Sequence, residues 1–233
     1  MPSLSPLVLI PSQLCTHLAW QPQLDTFSNE FQISVADHRD HPTISAIAKS
    51  ILDKHPGSFA LAAHGMGGFI AMEIMRQAPQ RVTKLALFDT LASADAPAQT
   101  ERRNGYAQLV RDGLFDQVIE ERIPILFSES SRRNRHLLEV ARDMARATGA
   151  EGFLNQQAAI MGRIDSSQSL TDIKCPTLLA IGREDAITSL ADAEMIAAHI
   201  PQARLEIVEN SGHLIMLEQP ERVSEIMKDW LSG

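Results

Sequence analysis

"FALAAHGMGGFIAME", residues 59–73, decides how the chain folds. Phe59 to Ala63 is an apolar run of strand length, three glycines crowd the next five positions, and from Gly68 onward apolar residues recur at helical spacing. A strand that enters a helix through so tight a turn holds the turn's central residue in a strained backbone conformation. The residues two places either side must be small for strand and helix to approach. Ala63 and Gly67 meet that demand, and the centre, Gly65, has no side chain at all.

Working outward, apolar runs rich in Val, Ile, Leu and Phe recur at 7–10, 31–37, 58–63, 84–89, 177–182 and 204–209, and each reads as a strand. Helical patterns lie between them at 43–54, 68–78, 189–200 and 220–231. Alternation of this kind implies an α/β fold: a mostly parallel sheet of about six strands with helices on both faces. From about Ala92 to Lys174 no strand is read, only helix-like segments such as "TERRNGYAQLVRDG", "RNRHLLEVARDMARAT" and "EGFLNQQAAIMG". The expected organisation is therefore a core of residues 1–91 and 175–233, with 92–174 inserted as a helical cap over the strand C-termini, where such sheets bind ligands.

The 233 residues suffice for one large domain. With 21 Lys and Arg against 29 Asp and Glu the net charge is -8, which disfavours nucleic acid as a partner. The opening "MPSLSPLVLIPSQLC" has no basic leader, and its apolar run is too short for a membrane span, so a cytoplasmic chain without membrane partners is expected. Cys15 and Cys175 are too few for a disulfide framework and too far apart for a metal knuckle, and both read as buried small apolar residues.

"HGMGGFIAMEIMRQAPQRVTKLALFD" resembles the α/β-hydrolase superfamily, in which this stretch commonly reads G-H-S-M-G-G, the nucleophile elbow. Two further stretches match in order: "CPTLLAIGREDAIT" (175–188) is similar to the strand and turn carrying the triad acid, and "ARLEIVENSGHLIMLEQPERV" (203–223) to those carrying the triad histidine. The resemblance spans nearly the whole chain. It implies that Gly65 stands at the nucleophile position, Asp185 at the acid and His213 at the base. Glu184 is displaced by the motif spacing, and Asp89, at the end of the preceding strand, is the second candidate acid. His64 beside the elbow is implied to point away from the site.

The resemblance also implies an oxyanion hole made by the backbone N–H groups of Met66, after the elbow, and Gln13, in the loop after the first strand. That loop, "PSQLC", replaces the family's usual His-Gly start. Ser12 within it reads as a turn former rather than a replacement nucleophile. The cluster "ADHRDHP" (36–42) holds two histidines and two aspartates, yet follows a strand directly and reads as a structural loop, not a metal site. "HGMGGF" lacks the glycine spacing of a dinucleotide turn, and no cofactor is implied.

The expected function is hydrolysis of a small-molecule carboxylic ester, lactone or thioester, with the attacking hydroxyl missing. Three explanations stand open: a serine exchanged for Gly65 to trap substrate, a natural variant in which His213 and Asp185 activate water or abstract a proton, and a binding protein without chemistry. Losing the nucleophile of a triad enzyme costs about 10⁶ in rate, so a chain relying on residue 65 is expected to be strongly impaired. Apolar cap residues, among them Phe115, Leu126, Phe127, Met144 and Met161, with Arg163, are the expected pocket lining, helix packing being the other role open to them.

Overall fold

Strands and helices alternate along the computed structural model, which describes residues 4–233, so the first three residues of the opening stretch lie outside the description. The strands are β1 (Ser5–Ile10), β2 (Phe31–Val35), β3 (Phe59–His64), β4 (Val82–Phe88), β5 (Thr177–Gly182) and β6 (Arg204–Val208). They form one sheet in the order β2-β1-β3-β4-β5-β6, and every neighbouring pair is parallel. All six strands read from the sequence are present, with ends shifted by a residue or two, and the sheet is wholly rather than mostly parallel.

The helices are α1 (Gln21–Phe27), α2 (Ile44–Lys54), α3 (Met66–Gln77), α4 (Pro97–Arg111), α5 (Phe115–Arg122), α6 (Arg135–Met161), α7 (Leu190–His199), α8 (Ile215–Glu218) and α9 (Pro220–Ser232). A parallel sheet needs cover on both faces, and the strand alternation supplies an apolar row to each. Leu7, Leu9, Ala62 and Phe88 pack with Trp20, Phe27 and Ile226, beneath α1 and α9. Val8, Ile10, Leu61 and Leu87 pack with Ile47, Ile70 and Ile196, beneath α2, α3 and α7. Trp20 meets Phe88 edge-on at 5.4 Å, a contact worth about 0.5–1.5 kcal/mol beyond burial.

The stretch between β4 and β5 carries α4, α5 and α6 and no strand. In α6 the backbone leaves helical geometry at Gly149, a kink that divides it into two helical limbs matching the segments read at 133–148 and 151–162. Phe127, Met144 and Phe153 from this insertion join the apolar cluster of Leu7 and Phe88. Cys15 is buried, and burial pushes its thiol up to about 12; Cys175 is half-buried, which corrects the expectation that both are interior. Among the described residues no helix is long and apolar enough to cross a membrane. Because all strands run one way, the loops after β1, β3, β4, β5 and β6 gather at one sheet edge.

Candidate active site

At that edge β3 ends on His64 and α3 begins on Met66, leaving Gly65 alone to turn the chain, at φ 55° and ψ -115°. Positive φ is uncommon for residues with a side chain and free of steric cost for glycine. The elbow's backbone is fully held: Gly65 N–H donates to Phe88 O at 2.9 Å, and Gly65 O accepts from Thr90 Oγ1 at 2.8 Å and from Gly68 N–H at 3.0 Å. A Cβ on Gly67 would fall 2.5 Å from Ile10 O, which is why that neighbour must be small.

His213 stands in the loop after β6 and Asp185 in the loop after β5, and His213 Nδ1 lies 2.8 Å from Asp185 Oδ2. The carboxylate also accepts from the Thr188 hydroxyl and from Ile187 N–H at 2.7 Å. Burial works to raise the Asp185 pKa, but the charge and hydrogen bond of His213, with those of Thr188 and Ile187, outweigh it and hold the carboxyl below its ordinary value. Ionised Asp185 therefore fixes the His213 proton on Nδ1 and leaves the Nε2 lone pair free.

The neighbouring acids take other parts. Glu184 accepts from Glu129 N–H at 3.0 Å, tying the insertion to the loop after β5. Asp89 is buried with its Oδ1 accepting from Gly182 N–H at 2.9 Å and its Oδ2 without a partner among the described residues. Burial, then the nearby Asp185 charge, push its pKa well up, so Asp89 keeps its proton. His64 is buried and pushed down to about 3, first by burial and then by His213. It is therefore neutral, and its Nε2–H donates to His213 O at 2.6 Å, steadying the loop after β6.

The loop after β1 closes the other side. Ser12 Oγ accepts from Met66 N–H at 3.3 Å, so the Met66 donor is engaged by a hydroxyl in this state. Gln13 is buried on the same cleft, and its backbone N–H has no acceptor among the described residues. His38 braces the loop: Nε2–H donates to Pro11 O at 2.8 Å, and Nδ1 accepts from Gln156 Nε2 at 3.0 Å. Gln156 Oε1 in turn accepts from Leu14 N–H at 3.1 Å. Both ring nitrogens of His38 are thus spent on structure, and burial lowers its pKa.

Over these groups lies a narrow, open-mouthed cleft, bounded below by Ser12, Gly65, Met66 and His213 and above by the insertion. The insertion's charged contribution is Arg102, Arg103 and Arg122, with Asp95 paired to Arg103 at 2.6 Å and to Arg163 at 2.7 Å. Arg122 has no carboxylate at ion-pair distance among the described residues, and its Nε is buried without a partner. Its guanidinium rests over the Tyr106 ring at 5.3 Å, and Nη2 donates to Gln13 Oε1 at 3.5 Å. Burial, then the nearby Arg103 charge, lower it to about 10.

Of the cap residues expected to line the pocket, Leu126 does so, while Phe127 and Met144 are core, and Arg163 is a strut between Asp95 and Phe69. Sequence reasoning missed Gln156 and Arg122. The arginines of α4 and α5 look in sequence like a solvated helix face, and no spacing rule separates Arg122 from them.

The family model described as "Alpha/beta hydrolase family" matches residues 20–226. The 3-oxoadipate enol-lactonase 1 of Acinetobacter baylyi is 25% identical, over all of this chain and 91% of the relative. Pimeloyl-[acyl-carrier protein] methyl ester esterase of Nitrosomonas europaea is 25% identical, over 87% of this chain and 86% of the relative. A thermophilic esterase from Thermogutta terrifontis, solved with malate bound, superposes with a TM-score of 0.91 at 30% identity, covering 99% of this chain and 90% of that one.

Proposed function

Since the chain belongs to the alpha/beta hydrolase family, we propose that it hydrolyses small carboxylic esters or lactones that carry a second, anionic group. The observation that carries this reading is the convergence on one point of a base and an oxyanion donor: His213 Nε2 lies 3.0 Å from where a Cβ on Gly65 would sit, and Met66, whose N–H donates to Ser12 Oγ, lines the same cleft. His213 accepts the proton of the attacking O–H, and Asp185 stabilises the imidazolium that results. The N–H groups of Met66 and Gln13 hold the charge that develops on the carbonyl oxygen. Gly65 itself offers no oxygen, so no acyl ester forms on residue 65. The insertion acts as a cap that supplies the substrate-reading side chains.

The anionic group follows from Arg122. Arg122 is half-buried with its Nε enclosed and unpartnered; a guanidinium so placed without a counter-ion is costly, and a ligand carboxylate relieves the cost through paired, charge-assisted hydrogen bonds. A relative named for a 3-oxoadipate enol-lactone and an esterase solved with malate support this substrate class. The test compares monomethyl succinate with methyl butyrate, an uncharged ester of similar length. We expect kcat/KM at least about tenfold higher for the anionic ester, a preference erased by Arg122→Met, and loss of both activities in His213→Ala. Equal turnover of the two esters would overturn the anionic preference, and ester turnover that survives His213→Ala would overturn the assigned chemistry.

A further inference from the structure

We propose that Ser12, in the loop after β1, is the nucleophile, its hydroxyl standing in the space that a side chain on Gly65 would fill; this rests on the hydrolase reading of the same cleft. A Cβ placed on Gly65 would lie 2.1 Å from Ser12 Oγ and 2.8 Å from Ser12 Cβ. The hydroxyl therefore occupies the elbow's own side-chain volume. The sheet register explains how it gets there: β1 and β3 are neighbours with Ile10 opposite Ala63, and Ser12 and Gly65 each lie two residues beyond that pair. Two loops leaving adjacent strands at the same height bring residues 12 and 65 together, and the absence of a Cβ at 65 lets them interpenetrate.

The hydrogen bonds fit a nucleophile better than a turn former. A serine that shapes a turn spends its hydroxyl on its own backbone a few residues away. Ser12 Oγ instead accepts from Met66 N–H, across the site. Its own proton has no acceptor among the described residues, and neither does His213 Nε2 have a donor, although both groups flank the point where the Gly65 side chain is absent. Donor and acceptor are thus left unspent on either side of one small space, 2.1 Å and 3.0 Å from the point where a Gly65 Cβ would sit; catalytic hydrogen bonds are often loose before substrate binds. Ser12 is buried on the cleft wall, and the His38 and Gln156 brace fixes its loop.

The chemistry balances with these groups alone. His213 Nε2 takes the Ser12 proton as Oγ bonds to the substrate carbonyl carbon, and the carbonyl π pair moves onto its oxygen. Met66 N–H, released from Ser12 Oγ, and Gln13 N–H receive that oxyanion. Collapse breaks the bond to the leaving alcohol oxygen, which takes the proton back from His213. Water then attacks the Ser12 ester in the same way, freeing the acid and restoring the serine.

The experiment uses the full chain in four forms: unaltered, Ser12→Ala, Gly65→Ser, and Ser12→Gly with Gly65→Ser together. Each is treated with a fluorophosphonate, the labelled peptide is located by mass spectrometry, and ester turnover is followed alongside. We expect labelling of the unaltered protein at Ser12 and a drop in kcat of at least about 10⁴-fold in Ser12→Ala. Gly65→Ser alone gains nothing, because its Cβ meets Ser12 Oγ, whereas the double variant recovers labelling, now at residue 65. Turnover in Ser12→Ala within tenfold of the unaltered protein would overturn the proposal while leaving the hydrolase reading in place, with water as the nucleophile. An inert, unlabelled parent beside an active double variant would also overturn it and keep the site. If all four forms are inert and unlabelled, the hydrolase reading itself fails, and Ser12 with it.

Discussion

Asp89 and Asp185 follow neighbouring strands at one sheet edge, and their surroundings make one a neutral acid and the other a carboxylate. Asp185 accepts hydrogen bonds from Ile187 and Thr188 and faces His213, while Asp89 has the single N–H of Gly182. An unfolded Asp89 ionises near pH 4, but the native one holds its proton to higher pH. Between those two values the native state binds more protons than the unfolded state, so this residue's contribution to stability falls as pH rises. Asp89→Asn keeps an oxygen for Gly182 and removes the ionisation. It should stabilise the fold at pH 8 and have little effect at pH 3, where both states are already largely neutral. Urea midpoints at the two pH values decide it, and an equal shift at both would show that ionisation is not the cause. Motif spacing in the sequence ranks Asp185 before Asp89 but says nothing of which keeps a proton, because that depends on what β5 and its loop press against each carboxyl. The role proposed for Ser12 is illegible in sequence for a similar reason. Its partners, Met66 and His213, meet it only through the β1–β3 register, and a register is not written in any local pattern.

The loop after β1 has no regular structure of its own, and α6 holds it in place. Gln156 projects from the second limb of that helix and is wholly buried, giving its oxygen to Leu14 N–H and its N–H to His38. Truncating it in Gln156→Ala leaves two buried groups unpaired, at a cost of about 1–3 kcal/mol in stability. Because the loop carries Ser12 and Gln13, the same change should lower kcat more than it raises KM. Steady-state kinetics beside a urea titration check both, and an unchanged kcat would mean that the brace serves stability alone. Little of this arrangement shows in the sequence. The apolar stripes of α2, α3, α7 and α9 are plain, whereas α1 and α5 are too short for a period to register. Gln156 interrupts an apolar stripe and reads as surface, since a buried amide looks no different from an exposed one until its partners are known.

For the molecule as a whole, the alternation of strand and helix made the parallel sheet legible, because a strand buried on both faces must be apolar throughout. What the alternation does not reveal is how firmly the inserted helices join the core. Phe127, Met144 and Phe153 of the insertion lie in one cluster with Leu7 and Phe88 of the sheet and with Trp20 and Trp230, the chain's two tryptophans. Chains beyond about 150 residues often unfold in stages, and a loosely docked cap would be the first part to leave. A shared cluster predicts otherwise: removing α4 to α6 would strip cover from the tryptophan face of the sheet, so neither part keeps its burial without the other. Tryptophan fluorescence, which reports the sheet face, and far-UV circular dichroism, to which the insertion contributes a large share of the helix, should therefore trace one transition in urea with a common midpoint. Loss of helix at lower urea than the tryptophan change would instead make the insertion a separate cooperative unit. The proposed site would then be dismantled, its arginines withdrawn from Ser12 and His213, while the sheet remained folded.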